Sequence, residues 1–290
     1  MKELYLCSFA SIDLKRSVER YLLQAKAMNA YQNIKVYKEE DLSNNIKKQI
    51  GNFFSLNQKR LYGYACWKAF IIKDFLKSVP KNSIVQYSDI GCHFNTNGKK
   101  RLEEYVELCK KKNILGFQYN EPNYTFNQNY KYQIYIERNF TKKILLDYLK
   151  VKNNENVLNS PQFWSGTIFF KNNEFSLDFL SKWEELSSKS ELIDDNLLNE
   201  KKDPEFVEHR HDQSIFSLLC KTNSIEGLSA SECEWAETKN RRTWDHLKNF
   251  PVLAKRDKKY NIFKRFVNRQ RKNILRFLNK LKKIFNLRLF

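Results

Sequence analysis

Short apolar runs alternate with amphipathic segments along most of this chain. The run ELYLCSFA predicts a buried strand, and the following SIDLKRSVERYLLQAKAMN has apolar residues near helical spacing. IKVYKEEDL predicts a second strand that leads into a loop, and YGYACWKAFIIKDFLKSVP predicts a helix that stops at Pro80. The chain therefore opens with β–α units.

The same alternation continues beyond residue 80. Further strands are predicted at SIVQYSDI, ILGFQYN and NSPQFWSGTIFFKNN, and further helices at GKKRLEEYVELCKKKN, ERNFTKKILLDYLKV, EFSLDFLSKWEELSS and SIFSLLCKTN. Strands that alternate with helices predict an α/β fold: a Rossmann-like, mostly parallel sheet flanked by helices, with its ligand crevice outside the carboxyl ends of the strands.

The pattern changes near residue 260, where apolar residues form a stripe and Lys or Arg fill the opposite side. This predicts a basic amphipathic helical tail. Of the formal net charge of +19, the segment from Lys255 to Phe290 carries +13, from 14 Lys and Arg and one acid, which leaves +6 for the rest. We predict two units, a catalytic domain over 1–254 and the tail over 255–290.

The tail has three interpretations. A basic amphipathic helix suits an anionic membrane surface, where each Lys or Arg contributes about 1 kcal/mol of attraction. It could instead pack its stripe on the domain, or bind nucleic acid, because the same charges attract phosphates. We favour the membrane and expect no nucleic acid, since Phe and Leu stay dense to the last residue. Truncation after Ala254 would then abolish liposome association and keep the activity of the body.

Length and composition limit the class of protein and the compartment in which it is expected. The length allows one large α/β domain with an appendage, and 14% aromatic residues with few Gly and Pro indicate a folded protein. The six Cys form no C-x-x-C pair, which argues against a zinc ribbon or redox dithiol and is typical of a reducing cytosol. The N-terminal apolar run is too short and too charged for a signal peptide, and no apolar run approaches the roughly 18 residues of a membrane span. We predict a cytoplasmic protein, peripherally associated with the inner face of the cell membrane.

Three polar clusters could carry chemistry. Asp89 ends a predicted strand beside Gly91, where it could hold a divalent cation against a diphosphate or simply cap a turn. In EHRHDQS, His209 and His211 stand in the i, i+2 relation that lets two imidazoles reach one metal, yet Asp212 or Ser214 could merely cap the next helix. In YGYACWKAF, the rings of Tyr62, Tyr64 and Trp67 could stack on a base or sugar while Lys68 meets a phosphate, although such rings are more often core.

The ordered series YGYACWKAFII, YSDIGC, FWSGTIFF and HRHDQSIFS resembles bacterial GT-A fold glycosyltransferases of surface-polysaccharide biosynthesis. The resemblance covers most of residues 1 to 250. It implies a nucleotide-sugar-binding domain with an acidic, metal-binding motif at a strand end. Asp89 takes the first position of that Asp-x-Asp type motif, but Gly91 replaces the second Asp. The coordination of Mn²⁺ or Mg²⁺ on Asp89 would therefore be completed by water, by phosphate oxygens or by a distant group such as His209 or His211.

The resemblance also implies site residues. Asp89 and Asp212 would be catalytic, with Asp212 against the donor sugar. Trp164 would be a stacking platform for a sugar ring, with Ser165 and Gly166 allowing close backbone approach. The implied donor-binding set is Ser8, Tyr64, Trp67, Lys68, Asp89, Gly91, Trp164, Ser165, Gly166 and Gln213.

The predicted function is the metal-assisted transfer of a sugar from a nucleotide-diphosphate donor, with a UDP-hexose as the favoured donor. The predicted acceptor is a lipopolysaccharide, a capsule or another glycan or glycolipid. Breaking the sugar–phosphate bond leaves positive charge at the anomeric carbon and negative charge on the diphosphate, and both need stabilising groups. Two alternatives stay open. One is a metal-dependent phosphoesterase or nuclease that uses His209, His211 and Asp212, and the other is a non-enzymatic basic protein that binds nucleic acid.

Overall fold

The computed structural model describes residues 3–56, 60–122, 130–196, 204–239 and 241–256, together with 267 and 270. The strands of these residues are β1 (Leu4–Phe9), β2 (Ile34–Tyr37), β3 (Ile84–Ser88), β4 (His93–Phe94), β5 (Ile114–Gln118), β6 (Phe163–Lys171), β7 (Leu228–Ser229), β8 (Ala236–Thr238), β9 (Arg241–Thr243) and β10 (Val252–Leu253). The helices are α1 (Lys15–Ala27), α2 (Asn44–Ser55), α3 (Lys68–Ser78), α4 (Lys99–Lys112), α5 (Glu137–Phe140), α6 (Lys143–Tyr148), α7 (Glu155–Leu158), α8 (Glu174–Ser187), α9 (Ser190–Ile193) and α10 (Asp212–Thr222).

Six strands form the main sheet, in the order β2-β1-β3-β6-β5-β7. β1 runs parallel to β2 and β3, and β5 runs parallel to β7, whereas β6 is antiparallel to both of its neighbours, β3 and β5. One reversed strand in six confirms the predicted α/β fold with a mostly parallel sheet. The carboxyl ends of β3 and β5 therefore share one edge with the amino end of β6. We call this edge the rim.

Helices cover both faces of the sheet, as a parallel sheet with two apolar faces requires. One buried cluster lies beneath α3, α8 and α10 and includes Trp183 and Phe216. The other lies beneath α1 and α4 and includes Tyr21 and Tyr105. Within the described residues, no helix combines the length and the apolarity needed to cross a bilayer. Apart from Lys255, Arg256 and the isolated residues 267 and 270, the predicted tail lies outside the described residues, so its helix and its membrane contact stay predictions.

Two predicted elements differ from the structure because tertiary contacts outweigh local preference. The single helix predicted over 137–151 is broken between α5 and α6. There the Thr141 hydroxyl donates to Glu137, and the Lys142 N–H donates to Nδ1 of His209 at 3.5 Å. The segment after residue 42, read as a loop, contains α2 instead, and its N-terminus is capped by the Ser43 hydroxyl, which accepts from the N–H of Ile46.

The helix predicted from Tyr62 begins only at Lys68. Before it, the five residues from Leu61 to Ala65 all have positive φ, between 50° and 79°, and form a left-handed turn. Such a conformation costs an L-residue about 1–2 kcal/mol, so packing must hold it. Gly63 suits the turn twice over, because a Cβ there would also lie 2.8 Å from the Ile50 side chain. The turn delivers Trp67 and Lys68 to the rim.

Candidate active site

One residue from each of the four sequence motifs meets in a single cluster at the rim. Asp89 directly follows β3, and Asp212 is the first residue of α10. The ammonium of Lys68, at the start of α3, lies 2.6 Å from Oδ2 of Asp212 and 3.5 Å from Oδ1 of Asp89. It also donates to the carbonyl and the hydroxyl of Ser165, both at 3.2 Å. The Ser165 hydroxyl in turn donates to Oδ2 of Asp212 at 2.8 Å.

The two carboxylates of the cluster are exposed to different extents. The Asp212 side chain is 5% exposed and the Asp89 side chain 45%. Asp89 is held in place by residues of the sheet. The Tyr87 hydroxyl donates to Oδ1 of Asp89 at 2.6 Å, and the backbone N–H of Asp89 donates to the Gly166 carbonyl. A buried acid and an open acid therefore share one lysine.

Lys68 stays charged in this setting. Burial by itself lowers the pKa of a lysine, but the charges of Asp212 and Asp89 and the hydrogen bonds to them outweigh burial, so the pKa of Lys68 is raised. An ammonium ion that is always protonated cannot act as a base. Its role is to hold both carboxylates at fixed positions.

The two histidines of HRHDQS are buried and neutral, and they form hydrogen bonds with the backbone. His209 donates through Nε2 to the Leu192 carbonyl at 3.0 Å and accepts the Lys142 N–H at Nδ1. His211 donates through Nδ1 to the Ile193 carbonyl at 2.7 Å, and its Nε2 lies 3.5 Å from Asp195. Burial lowers the pKa of both imidazoles, that of His209 well below its ordinary value.

The two histidines do not fit the predicted Mn²⁺ or Mg²⁺ site. Both ring nitrogens of His209 are bonded to the backbone, and Nε2 of His211 faces Asp195 rather than Asp89. Oδ2 of Asp212 is taken by Lys68 and Ser165. Accordingly, the part of the chain that the structure describes contains no group of three or more His, Cys, Asp or Glu side chains that could hold a metal ion. The prediction of Asp89, His209 and His211 as joint ligands is corrected.

Three of the four aromatic residues proposed as stacking platforms, Tyr64, Trp67 and Trp164, are packed away from solvent, whereas Tyr62 is partly buried. Trp67 stacks on Phe9 with ring centroids 4.0 Å apart, and Tyr64 packs on Phe53 and on the imidazole of His211. Trp164 is 4% exposed, and its indole fills the space beside Gly166, where a Cβ would lie 2.2 Å from the ring. Gly166 therefore makes room for Trp164 rather than for a ligand, and none of the three rings presents an open face.

The remaining predicted donor-binding residues are divided. Ser8 lies inside β1 and is completely buried, so a donor does not reach it. Gln213 donates to Gln162 and orders the start of α10. Gly91 lies in the loop after Asp89, which Arg20 of α1 holds by donating to the Ile90 and Cys92 carbonyls, each at 2.6 Å. Tyr87 and Arg20 were missed by the sequence analysis because nothing local marks them as partners of the loop.

No protein-family model and no curated protein matches the chain. Solved structures give distant likenesses. A glycosyltransferase involved in the glycosylation of the major capsid of PBCV-1 is 11% identical, with 86% of this chain and 92% of that chain covered and a TM-score of 0.42. Mouse xyloside xylosyltransferase 1, in the apo form, is 13% identical, with 80% and 87% covered and a TM-score of 0.40. Core-mannan synthase A from Aspergillus fumigatus, in a Mn/GDP form, is 10% identical, with 76% and 70% covered and a TM-score of 0.37.

Proposed function

We propose that this chain is a GT-A type glycosyltransferase that moves a sugar from a nucleoside diphosphate donor to a glycan acceptor at the rim. One observation carries the proposal. Lys68, Asp89, Ser165 and Asp212 come from four separate motifs, and they form one ion-paired cluster at the edge where open α/β sheets bind ligands. A turn-capping Asp and a helix-capping Asp would have no reason to share a buried lysine.

The cluster matches the demands of the reaction. As the bond between the anomeric carbon and the diphosphate breaks, positive charge grows on the sugar ring, and a fixed carboxylate stabilises it more than mobile water does. Asp212 is such a group, since Lys68 and Ser165 hold one of its oxygens. Asp89, with a side chain 45% exposed, is available to accept hydrogen bonds from sugar hydroxyls. No step of this proposal runs through a metal ion.

The donor and acceptor follow the sequence interpretation: a UDP-hexose as donor, and as acceptor a lipopolysaccharide, capsule or related glycan carried at the membrane surface. The phosphoesterase alternative finds no support among the described residues, because His209 uses both ring nitrogens on the backbone. A catalytic metal centre of His209, His211 and Asp212 would therefore lack His209 as a ligand.

The test measures donor binding and sugar release in Asp89→Asn. We expect UDP-hexoses to raise the melting temperature of the wild type and to be hydrolysed or transferred. Asp89→Asn should fold normally, because the side chain is half-exposed, and should lose activity on the order of 10²–10³-fold. Asp178→Asn, which changes an exposed acid of α8, is the matched control. Full activity in Asp89→Asn, or a wild type that responds to no nucleotide sugar, would rule the proposal out.

A further inference from the structure

A second polar cluster lies at the rim, at the end of β5. Tyr119 directly follows this strand and packs edge-on against Tyr135, with ring centroids 4.5 Å apart. Its hydroxyl donates to Oε1 of Glu234 at 3.0 Å, and the guanidinium of Arg256 donates to the same oxygen at 2.6 Å. Glu234 is 2% exposed, whereas the Arg256 side chain is 55% exposed. A buried carboxylate therefore fixes the orientation of a guanidinium that is accessible to solvent.

Arg210 joins this cluster through Tyr135. Its guanidinium lies over the Tyr135 ring at 3.6 Å and the Phe140 ring at 4.5 Å, which fixes its plane. Its Nε lies 3.4 Å from a Glu208 oxygen, but the guanidinium makes no hydrogen bond to any residue that the structure describes, although the side chain is only 15% exposed. An ordered guanidinium with open N–H groups at a partly buried position is prepared for an acceptor from outside the chain.

Both guanidiniums act on one hydroxyl. Burial raises the pKa of Tyr119 well above its ordinary value, Glu234 raises it further, and the charges of Arg256 and Arg210 oppose this rise. Arg210 is linked to Tyr119 through the ring of Tyr135, and Arg256 is linked to it through Glu234, so both arginines belong to one cluster around Tyr119.

The arginine cluster adjoins the Asp89 cluster at both ends. Arg210 stands two residues before Asp212 in the chain. At the other end, Leu253 of β10 pairs with His93 of β4, so the segment that reaches Arg256 runs beside the loop from Asp89 to Cys92. Burial and the charge of Asp89 raise the pKa of the Cys92 thiol, Glu234 raises it too, and Arg256 lowers it, so charges of both clusters act on one thiol.

The rim therefore has two halves. In one half, the carboxylates of Asp89 and Asp212 flank the Lys68 ammonium, and the exposed Asp89 can accept hydrogen bonds from sugar hydroxyls. In the other half, Arg210 and Arg256, which pair with Glu208 and Glu234, offer the planar forks of N–H donors that suit phosphate oxygens. A nucleotide sugar has the same two ends, since its hexose is neutral and its diphosphate is anionic.

We propose that Arg210 and Arg256 bind the diphosphate of the sugar donor and neutralise the charge that develops on it as the sugar leaves. The inference rests on the proposed function and adds the residues that recognise the leaving group. The bond from the anomeric carbon to the diphosphate oxygen breaks with its electron pair on that oxygen, and the guanidiniums stabilise the resulting charge.

The experiment combines truncated ligands with matched variants. Titration calorimetry measures UDP, UMP and uridine binding to the full chain and to Arg210→Gln, Arg256→Gln and Lys77→Gln. Lys77 is an exposed cation in the last turn of α3, before β3, and so lies at the opposite edge of the sheet. We expect each arginine variant to weaken UDP about ten- to hundredfold, UMP less, and uridine hardly at all, and Lys77→Gln to change none of them.

Arg256→Gln leaves Glu234 buried beside Tyr119 alone, so the double variant Arg256→Gln, Glu234→Gln provides the same ligand test without a lone buried charge. UDP affinity unchanged in the arginine variants, with a raised KM for the acceptor, would overturn the inference and assign the arginines to an anionic acceptor, while the transferase proposal would stand. Equal losses for UDP and uridine would also overturn it, because they would indicate general damage. A wild type that binds none of the three ligands would overturn both proposals.

Discussion

At the residue scale, Lys68 determines what the rim can do. Its ammonium is 5% exposed and compensates a carboxylate, Asp212, that is equally buried. Burying an ion pair costs several kcal/mol per ion, and the pair survives because Ser165 and Asp89 add further contacts. An apolar residue at position 68 would pack as well in α3, so the lysine is explained by the charges that it holds.

We expect Lys68→Met to lower the free energy of unfolding by about 3–5 kcal/mol, because Asp212 is left as an uncompensated buried charge. Adding Asp212→Asn should recover most of this loss, since the lone charge is then gone. The control is Lys182→Met, which breaks an exposed pair with Glu185 and should cost at most about 1 kcal/mol. Urea unfolding measures the wild type and the three variants. A loss in Lys68→Met no larger than that of the control would contradict the buried pair.

At the element scale, the reversed strand β6 supplies Ser165 and Gly166 to the rim. The first residues of β6, Phe163 to Ser165, lie at the rim, where β3 and β5 end. The Gly166 carbonyl accepts a hydrogen bond from the Asp89 N–H. The side chains of β6 are buried on both faces of the sheet from Phe163 to Phe170. A strand that is packed on both sides has no room to adjust, so its small residues are fixed by their neighbours.

Two glycine substitutions test this. Gly166→Ala would place its Cβ 2.2 Å from the buried Trp164 indole, and we expect it to lower the free energy of unfolding by about 1–3 kcal/mol and to reduce sugar transfer by displacing Asp89. Gly51→Ala, in α2, meets no atom within 4 Å and should raise stability by about 0.5–1 kcal/mol. Denaturant midpoints decide the signs, and a harmless Gly166→Ala would mean that Trp164 can move aside.

At the scale of the whole molecule, buried neutral histidines connect folding to pH. His209 and His211 are each 1% exposed, and they tie the segment before α10 to the carbonyls of Leu192 and Ile193 at the end of α9. Burial lowers the pKa of both imidazoles below the ordinary value of 6.5. The unfolded chain therefore binds protons near pH 6 that the native chain does not, and this favours unfolding.

We expect the stability contributed by His209 to be complete above about pH 6.5 and to be lost as the pH falls below it. The loss approaches about 1.4 kcal/mol per pH unit for one imidazole that stays neutral in the native state. His209→Gln should be less stable than the wild type at pH 7.5 but should lose less stability between pH 6.5 and 5.5. Urea unfolding at several pH values checks this, and parallel curves for the two proteins would show that His209 takes up a proton in the folded state.

The sequence alone was sufficient for the elements and for the position of one acid. The apolar periods of two residues in strands and 3.6 residues in helices are visible in the local sequence. The bounds of β1, β3, β6, α4 and α8 were therefore predicted to within a few residues. Asp89 was expected at a strand end because the apolar run stops there, and the structure places it at the end of β3. The helix broken at Thr141 and the left-handed turn at Leu61 were not predictable, since distant partners hold both.

Only the tertiary structure decided which side chains meet. In the folded chain, Lys68 bridges Asp89 and Asp212, and both ring nitrogens of His209 form hydrogen bonds with the backbone. Trp164 packs against Gly166. The tertiary structure also brought Arg256 to Glu234, the acceptor of the Tyr119 hydroxyl, and Arg210 to Tyr135, which packs on Tyr119. A residue type shows what a side chain can bind, but burial and the nearest partner determine what it does bind, and both follow from contacts between segments far apart in sequence.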